Sequence, residues 1–152
     1  MRTGFVLAAL AAIMGGEAMA AEQVARGSFT VSMTPEDGQE TDGLSRARLK
    51  VEKQFEGGLV AASEGTMLSA TTPEQGSAAY VLIERVAGTL DGRAGSFALA
   101  HLGLMDKGAP QLSVTIVPGS GTGALAGLRG EMTLDVGGGR HDYVLRYSLE
   151  GH

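Results

Sequence analysis

From Ser28 onward the chain alternates apolar and polar residues with a period of two, in short runs cut by turn residues. Phe29, Val31 and Met33 alternate with Ser28, Thr30 and Ser32; Ala47, Leu49 and Val51 alternate with Arg46, Arg48, Lys50 and Glu52. That period sends successive side chains to opposite sides of a strand. Similar runs predict strands at 58–70, 79–88, 94–105, 111–117, 131–136 and 140–149. In the first of these, Leu59, Ala61, Ser63, Gly65 and Met67 share one side. No stretch after Ala21 keeps helical spacing beyond two turns. Eight strands with short connections predict an all-β fold, a single eight-stranded antiparallel β-barrel. Pro35–Gly43 and Thr71–Gly76 are expected to be the longest loops, and no linker divides residues 21–152.

The turn Leu90-Asp91-Gly92-Arg93 sets a register. Asp-Gly suits a two-residue type I′ turn, because both central positions need positive φ. Such a turn places Tyr80 opposite Gly103, Leu82 opposite His101, Glu84 opposite Leu99 and Val86 opposite Phe97, all on one face. The other face carries Ala79, Val81, Ile83 and Ala87 against Ala94, Ser96, Ala98, Ala100, Leu102 and Leu104. Apart from Glu84 and His101 on the first and Arg85 and Ser96 on the second, both faces are apolar. A sheet with one solvated side does not look like this. A closed barrel whose outer wall is covered by another subunit does, which predicts a homo-oligomer.

Before Ala21 lies an address label. Arg2 is followed by an apolar stretch from Phe5 to Met14 and by Ala18-Met19-Ala20, a small-x-small cleavage pattern. A signal peptide over residues 1–20, cleaved after Ala20, implies a periplasmic or secreted protein. The apolar stretch is shorter than the ~20 residues a membrane span requires, so no membrane span is expected. Cysteine, tryptophan and asparagine are absent. Disulfides, thiolate metal sites and cysteine nucleophiles therefore drop out, and stability must come from burial and strand pairing. The 24 glycines favour turns and bulges. The net charge is −5, unchanged by removal of the leader because Arg2 and Glu17 cancel, so nucleic acid is not an expected partner.

Several longer runs resemble a bacterial family of unknown function. They are Gly76–Val86 followed by Gly88–Phe97, then His101-Leu102-Gly103-Leu104-Met105, Val117–Gly123, Leu125–Leu128 and His141-Asp142-Tyr143. Upstream, Lys53–Gly57 and Ser63–Leu68 fit as well. The resemblance extends from Gly27 to Leu149. It implies a barrel similar to that of plant allene oxide cyclase, a fold shared with dirigent proteins, and relatives in this fold group often form oligomers. It implies no activity: the plant cyclase pocket uses asparagine and cysteine beside a glutamate, and this chain has neither Asn nor Cys.

The candidate catalytic residues are Glu84 and His101, diagonal neighbours on the inward face of the hairpin. A carboxyl and an imidazole in a desolvated interior perturb each other's pKa, as proton transfer requires; a self-satisfied buried pair is the plainer alternative. Candidate ligand-binding residues are Tyr80, His141, Tyr143, Tyr147 and Ser63, on the reasoning that tyrosine rings can floor an apolar pocket while their hydroxyls orient a ligand. Small inward residues (Ala61, Ser63, Gly65, Gly103) are read as leaving unfilled volume. Gly119–Gly123 imitates a phosphate loop but lacks a following helix, and a turn crossing the barrel end is expected instead. The three histidines lie far apart in sequence and lack ligand spacing, so neither a metal nor a cofactor is expected. Three functions follow. The first is a barrel holding a small, mostly apolar molecule, the second an isomerase or cyclase using Glu84 and His101, and the third a packed structural or interaction barrel.

Overall fold

The structure, a computed structural model, describes residues 20–150; the leader expected over 1–20 lies, except for Ala20, outside the described residues. Eight strands follow in order: β1 (Gln23–Thr41), β2 (Leu44–Gly57), β3 (Leu59–Thr71), β4 (Ala78–Leu90), β5 (Arg93–Asp106), β6 (Ala109–Ile116), β7 (Leu128–Asp135) and β8 (Asp142–Leu149). Each pairs antiparallel with the next, and β1 pairs with β8, closing a barrel. This is the fold that the alternation and the resemblance both imply.

Three tight turns punctuate it, at Asp42-Gly43, Asp91-Gly92 and Lys107-Gly108. In each, both central residues have positive φ (53° and 80°, 47° and 82°, 48° and 87°), the backbone of a type I′ turn. The Asp91-Gly92 turn gives β4 and β5 the register expected from it, with Tyr80 opposite Gly103 and Leu82 opposite His101. The expected loop Pro35–Gly43 differs. The strand pairing of β1 and β2 runs on to Thr41 and Leu44, with a bulge between Pro35 and Asp37. This arm is exposed on both sides, so it needs no apolar alternation and its polar residues hid it. Arg48 ties it down, 3.2 Å from Glu36 and 2.8 Å from Asp37, while Arg46 donates to Gln39 at 2.8 Å.

Inward positions build the core. Phe29, Phe55, Leu59, Val86, Leu90, Phe97, Leu99, Ile116, Leu128, Leu145 and their neighbours form one cluster, with Val51, Met67 and Leu82 as a second beside it. Burying each large apolar side chain contributes roughly 1.5–3 kcal/mol. One end of the barrel is closed. The segment after β6 crosses it through a 3-10 turn, Gly123–Leu125, and inserts Leu125, which is fully buried. Ser120 and Thr122 fasten the crossing by hydrogen bonds to Ala98 and Ser96. The expected phosphate mimic is therefore a strap across the closed end. The opposite end is open: the inward-facing Met33, Met105 and Leu112 are exposed there, and Ala47, Ser69 and Tyr80 are half-buried.

Candidate functional site

Between the two ends, four strands place polar side chains among the inward apolar ones. Lys53 lies on β2, Ser63 on β3, Glu84 on β4 and His101 on β5, and all four are buried. The ladder explains their convergence. Lys53 is directly opposite Ser63, Glu84 is opposite Gly65, and Ser63 and Glu84 are diagonal neighbours across β3 and β4. Opposed residues share a face, and diagonal ones remain within reach of long side chains. Gly65 makes room for the carboxyl-bearing residue: a Cβ there would sit 2.7 Å from Glu84 Cβ and 2.8 Å from its Cα.

The Lys53 ammonium donates to Glu84 Oε2 at 2.7 Å. It also lies over the rings of Phe29 and Phe55, at 5.3 and 6.0 Å from their centroids, where the ring quadrupole attracts a cation. His101 Nε2 stands 3.6 Å from the same carboxylate oxygen, just beyond hydrogen-bond length. Burial alone would push the Glu84 carboxyl up. The His101 ring and the Lys53 ammonium outweigh that, so Glu84 titrates below the ordinary carboxylate range. Three atoms in this cluster are buried without a hydrogen-bond partner: Ser63 Oγ, Glu84 Oε1 and His101 Nε2. An unsatisfied buried group costs about 1–3 kcal/mol, so three inside one lumen mark a place suited to a polar group from outside the chain.

The other candidates fall in different parts of the barrel. Tyr80 stands between the cluster and the open end, and burial together with the negative charge of Glu84 pushes its phenol up. Its ring lies over Gly103, where a Cβ would come within 2.9 Å of the ring. The volume inferred from Gly65 and Gly103 is thus already filled, by Glu84 and by Tyr80. His141 stacks on Phe29, with centroids 5.2 Å apart, and so lies beside the lysine's aromatic neighbour. Tyr143 and Tyr147 belong to the closed half. The Tyr143 hydroxyl accepts from Leu59 N–H at 2.9 Å and donates to the Glu56 carbonyl at 2.8 Å. The Tyr147 hydroxyl bonds to Asp91 and, at 3.1 Å, to Gln23. Burial and the Asp91 carboxylate push Tyr147 up to about 12. Both hydroxyls are engaged with the chain itself.

Lys53 is the site residue that the alternation did not single out. The parity Val51, Lys53, Phe55 points it inward, but within Glu52-Lys53-Gln54 it looks like part of a solvated run. Among the described residues, no three His, Asp or Glu side chains are grouped to hold a metal.

A family model described as "Protein of unknown function (DUF3224)" matches residues 25–147. The chain belongs to the DUF3224 family. The match takes in the whole polar cluster. A solved DUF3224 protein of unknown function from Shewanella oneidensis MR-1 is 42% identical, with a TM-score of 0.83 over 87% of this chain and 100% of that one. No curated protein matches the chain. The DUF3224 description carries no activity.

Proposed function

We propose that this DUF3224 barrel works outside the cytoplasm, in the periplasm or after secretion, and holds one small, mostly apolar molecule in its lumen. The observation that carries the reading is the trio of unpartnered buried atoms, Ser63 Oγ, Glu84 Oε1 and His101 Nε2, below a mouth of apolar side chains. Such a pocket needs few polar groups to fix orientation. Tyr80 stands where the ligand would pass. Carriage is better supported than isomerase or cyclase chemistry. A general base works best with a pKa near the operating pH, and His101 and Lys53 together hold Glu84 in the other direction. The export half rests on the leader sequence. The test is to purify the protein from the periplasm, denature it and identify what is released by mass spectrometry. An apolar molecule at near-equal stoichiometry supports the reading; protein that releases nothing and gains no thermal stability from apolar probes overturns it.

The outer wall supports an assembly. Leu68, Val81, Ile83, Leu102 and Leu104 form a contiguous outward patch on β3, β4 and β5, each 45–57% exposed. Patches of that extent on soluble proteins commonly mark contacts. We propose that a second copy covers this face. Glu64 and Arg85 sit opposite each other at its edge, and a two-fold axis passing beside them would let each copy's Arg85 meet the other's Glu64 in a self-complementary interface. Sedimentation at micromolar concentration tests this; a strictly monomeric protein overturns it.

A further inference from the structure

Resting on the lumen reading above, we infer that the bound molecule is a neutral amphiphile with a hydroxyl head, an alcohol rather than a fatty acid or an amine. The charge pattern of the cluster carries this. With the His101 imidazole neutral, Lys53 and Glu84 are matched one to one at 2.7 Å, with side chains 6% and 0% exposed. A ligand carboxylate beside them would share one ammonium with Glu84 and leave a net negative charge in the interior. A ligand ammonium would leave a net positive one. Either is an uncompensated buried charge, which costs several kcal/mol.

A hydroxyl brings one donor and two acceptor lone pairs without charge. Its proton goes to Glu84 Oε1, an acceptor with no other partner, and its oxygen accepts from Ser63 Oγ–H, a donor with no other partner. The alkyl part then points towards the open end, where Leu82 and Tyr80 on β4 and Met67 on β3 are packed together and must part to admit it. Glu84 and Tyr80 are four residues apart on one strand, about 13 Å at about 3.3 Å per residue, which a medium-length chain can follow. Lys53 thus acts as a positioning residue: it fixes Oε2 and leaves Oε1 free for the head group.

The test titrates the full mature protein with octan-1-ol, octanoate and octylamine by calorimetry near neutral pH. Octan-1-ol should bind at least tenfold more tightly than either ion. Ser63→Ala, which removes one small hydroxyl and leaves the fold intact by circular dichroism, should weaken octan-1-ol about tenfold, in line with the loss of one hydrogen bond. Octanoate or octylamine binding as tightly as the alcohol overturns the inference while leaving lumen binding standing. Unchanged octan-1-ol affinity in Ser63→Ala overturns the placement of the head group. Failure of all three probes to bind overturns the lumen reading, and the inference with it.

Discussion

Replacing Lys53 by methionine keeps most of the side-chain volume and removes one half of a buried ion pair. At 2.7 Å the attraction is about 6 kcal/mol at an effective dielectric constant of about 20. Desolvation of both groups offsets much of that. What remains after deletion is a carboxylate with no ammonium beside it, a change that typically costs about 3–5 kcal/mol. For about 130 ordered residues that corresponds to a melting point lowered by about 15 °C. Urea denaturation followed by far-ultraviolet circular dichroism reads the loss directly.

The pH dependence separates this account from a generic packing defect. In the native protein the folded Glu84 pKa is lowered. Its stabilisation is therefore present above the unfolded carboxylate range, near about 4.3, and disappears as pH falls through the folded value. In Lys53→Met the ammonium's share of that lowering is lost while His101 still opposes burial, so the folded pKa rises. The stability that Glu84 contributes above the unfolded value shrinks accordingly. The gap between the two proteins should narrow steadily on acidification. Lys53→Met combined with Glu84→Gln should recover much of the loss at neutral pH, because neither charge remains. A single variant that costs less than about 1 kcal/mol, with an acid profile parallel to the parent's, refutes the buried pair.

Tyr147→Phe removes the hydroxyl bonded to Asp91 and Gln23, and urea melts should show a loss of about 1–2 kcal/mol. In the parent, ultraviolet titration should find Tyr147 protonated up to about 12; its stabilisation is complete below the free tyrosine value, near about 10, and is lost as pH rises through the folded one. Gly65→Ala should destabilise by about 2–3 kcal/mol through overpacking, since the added methyl meets both the Ile83 carbonyl and the backbone of Glu84. Val81→Asp, on the outward face at 45% exposure, should change monomer stability by less than about 0.5 kcal/mol yet lower the sedimenting mass. An unchanged mass would mean that the patch is not the contact.

The fold was legible because its determinants are local. Asp91-Gly92 fixes a turn, the turn fixes the register of β4 and β5, and the register turns Glu84 and His101 to the same side. What escaped was non-local or uncoupled from burial. Lys53 is inside because Glu84, two strands away, meets it, and no pattern within β2 states that. The arm beyond Pro35 pairs through its backbone while both of its sides face solvent, so Asp42-Gly43 carried the same turn signal as Asp91-Gly92 without the flanking alternation to announce it. Ser63, Gly65 and Gly103 looked alike as small inward residues. The structure distinguishes them by what their neighbours do: Glu84 fills the space at Gly65 and Tyr80 that at Gly103, while the Ser63 hydroxyl stays unpartnered.

A crystal structure of the mature protein soaked in octan-1-ol tests the central claim most directly. The account predicts density for the hydroxyl between Ser63 Oγ and Glu84 Oε1, with the alkyl chain leading past Tyr80 to the open end. Alcohol found only in the concavity of about 880 Å³ that Leu68, Val81 and Tyr80 line beside the open end, with ordered water alone bridging Ser63, Glu84 and His101, would contradict it.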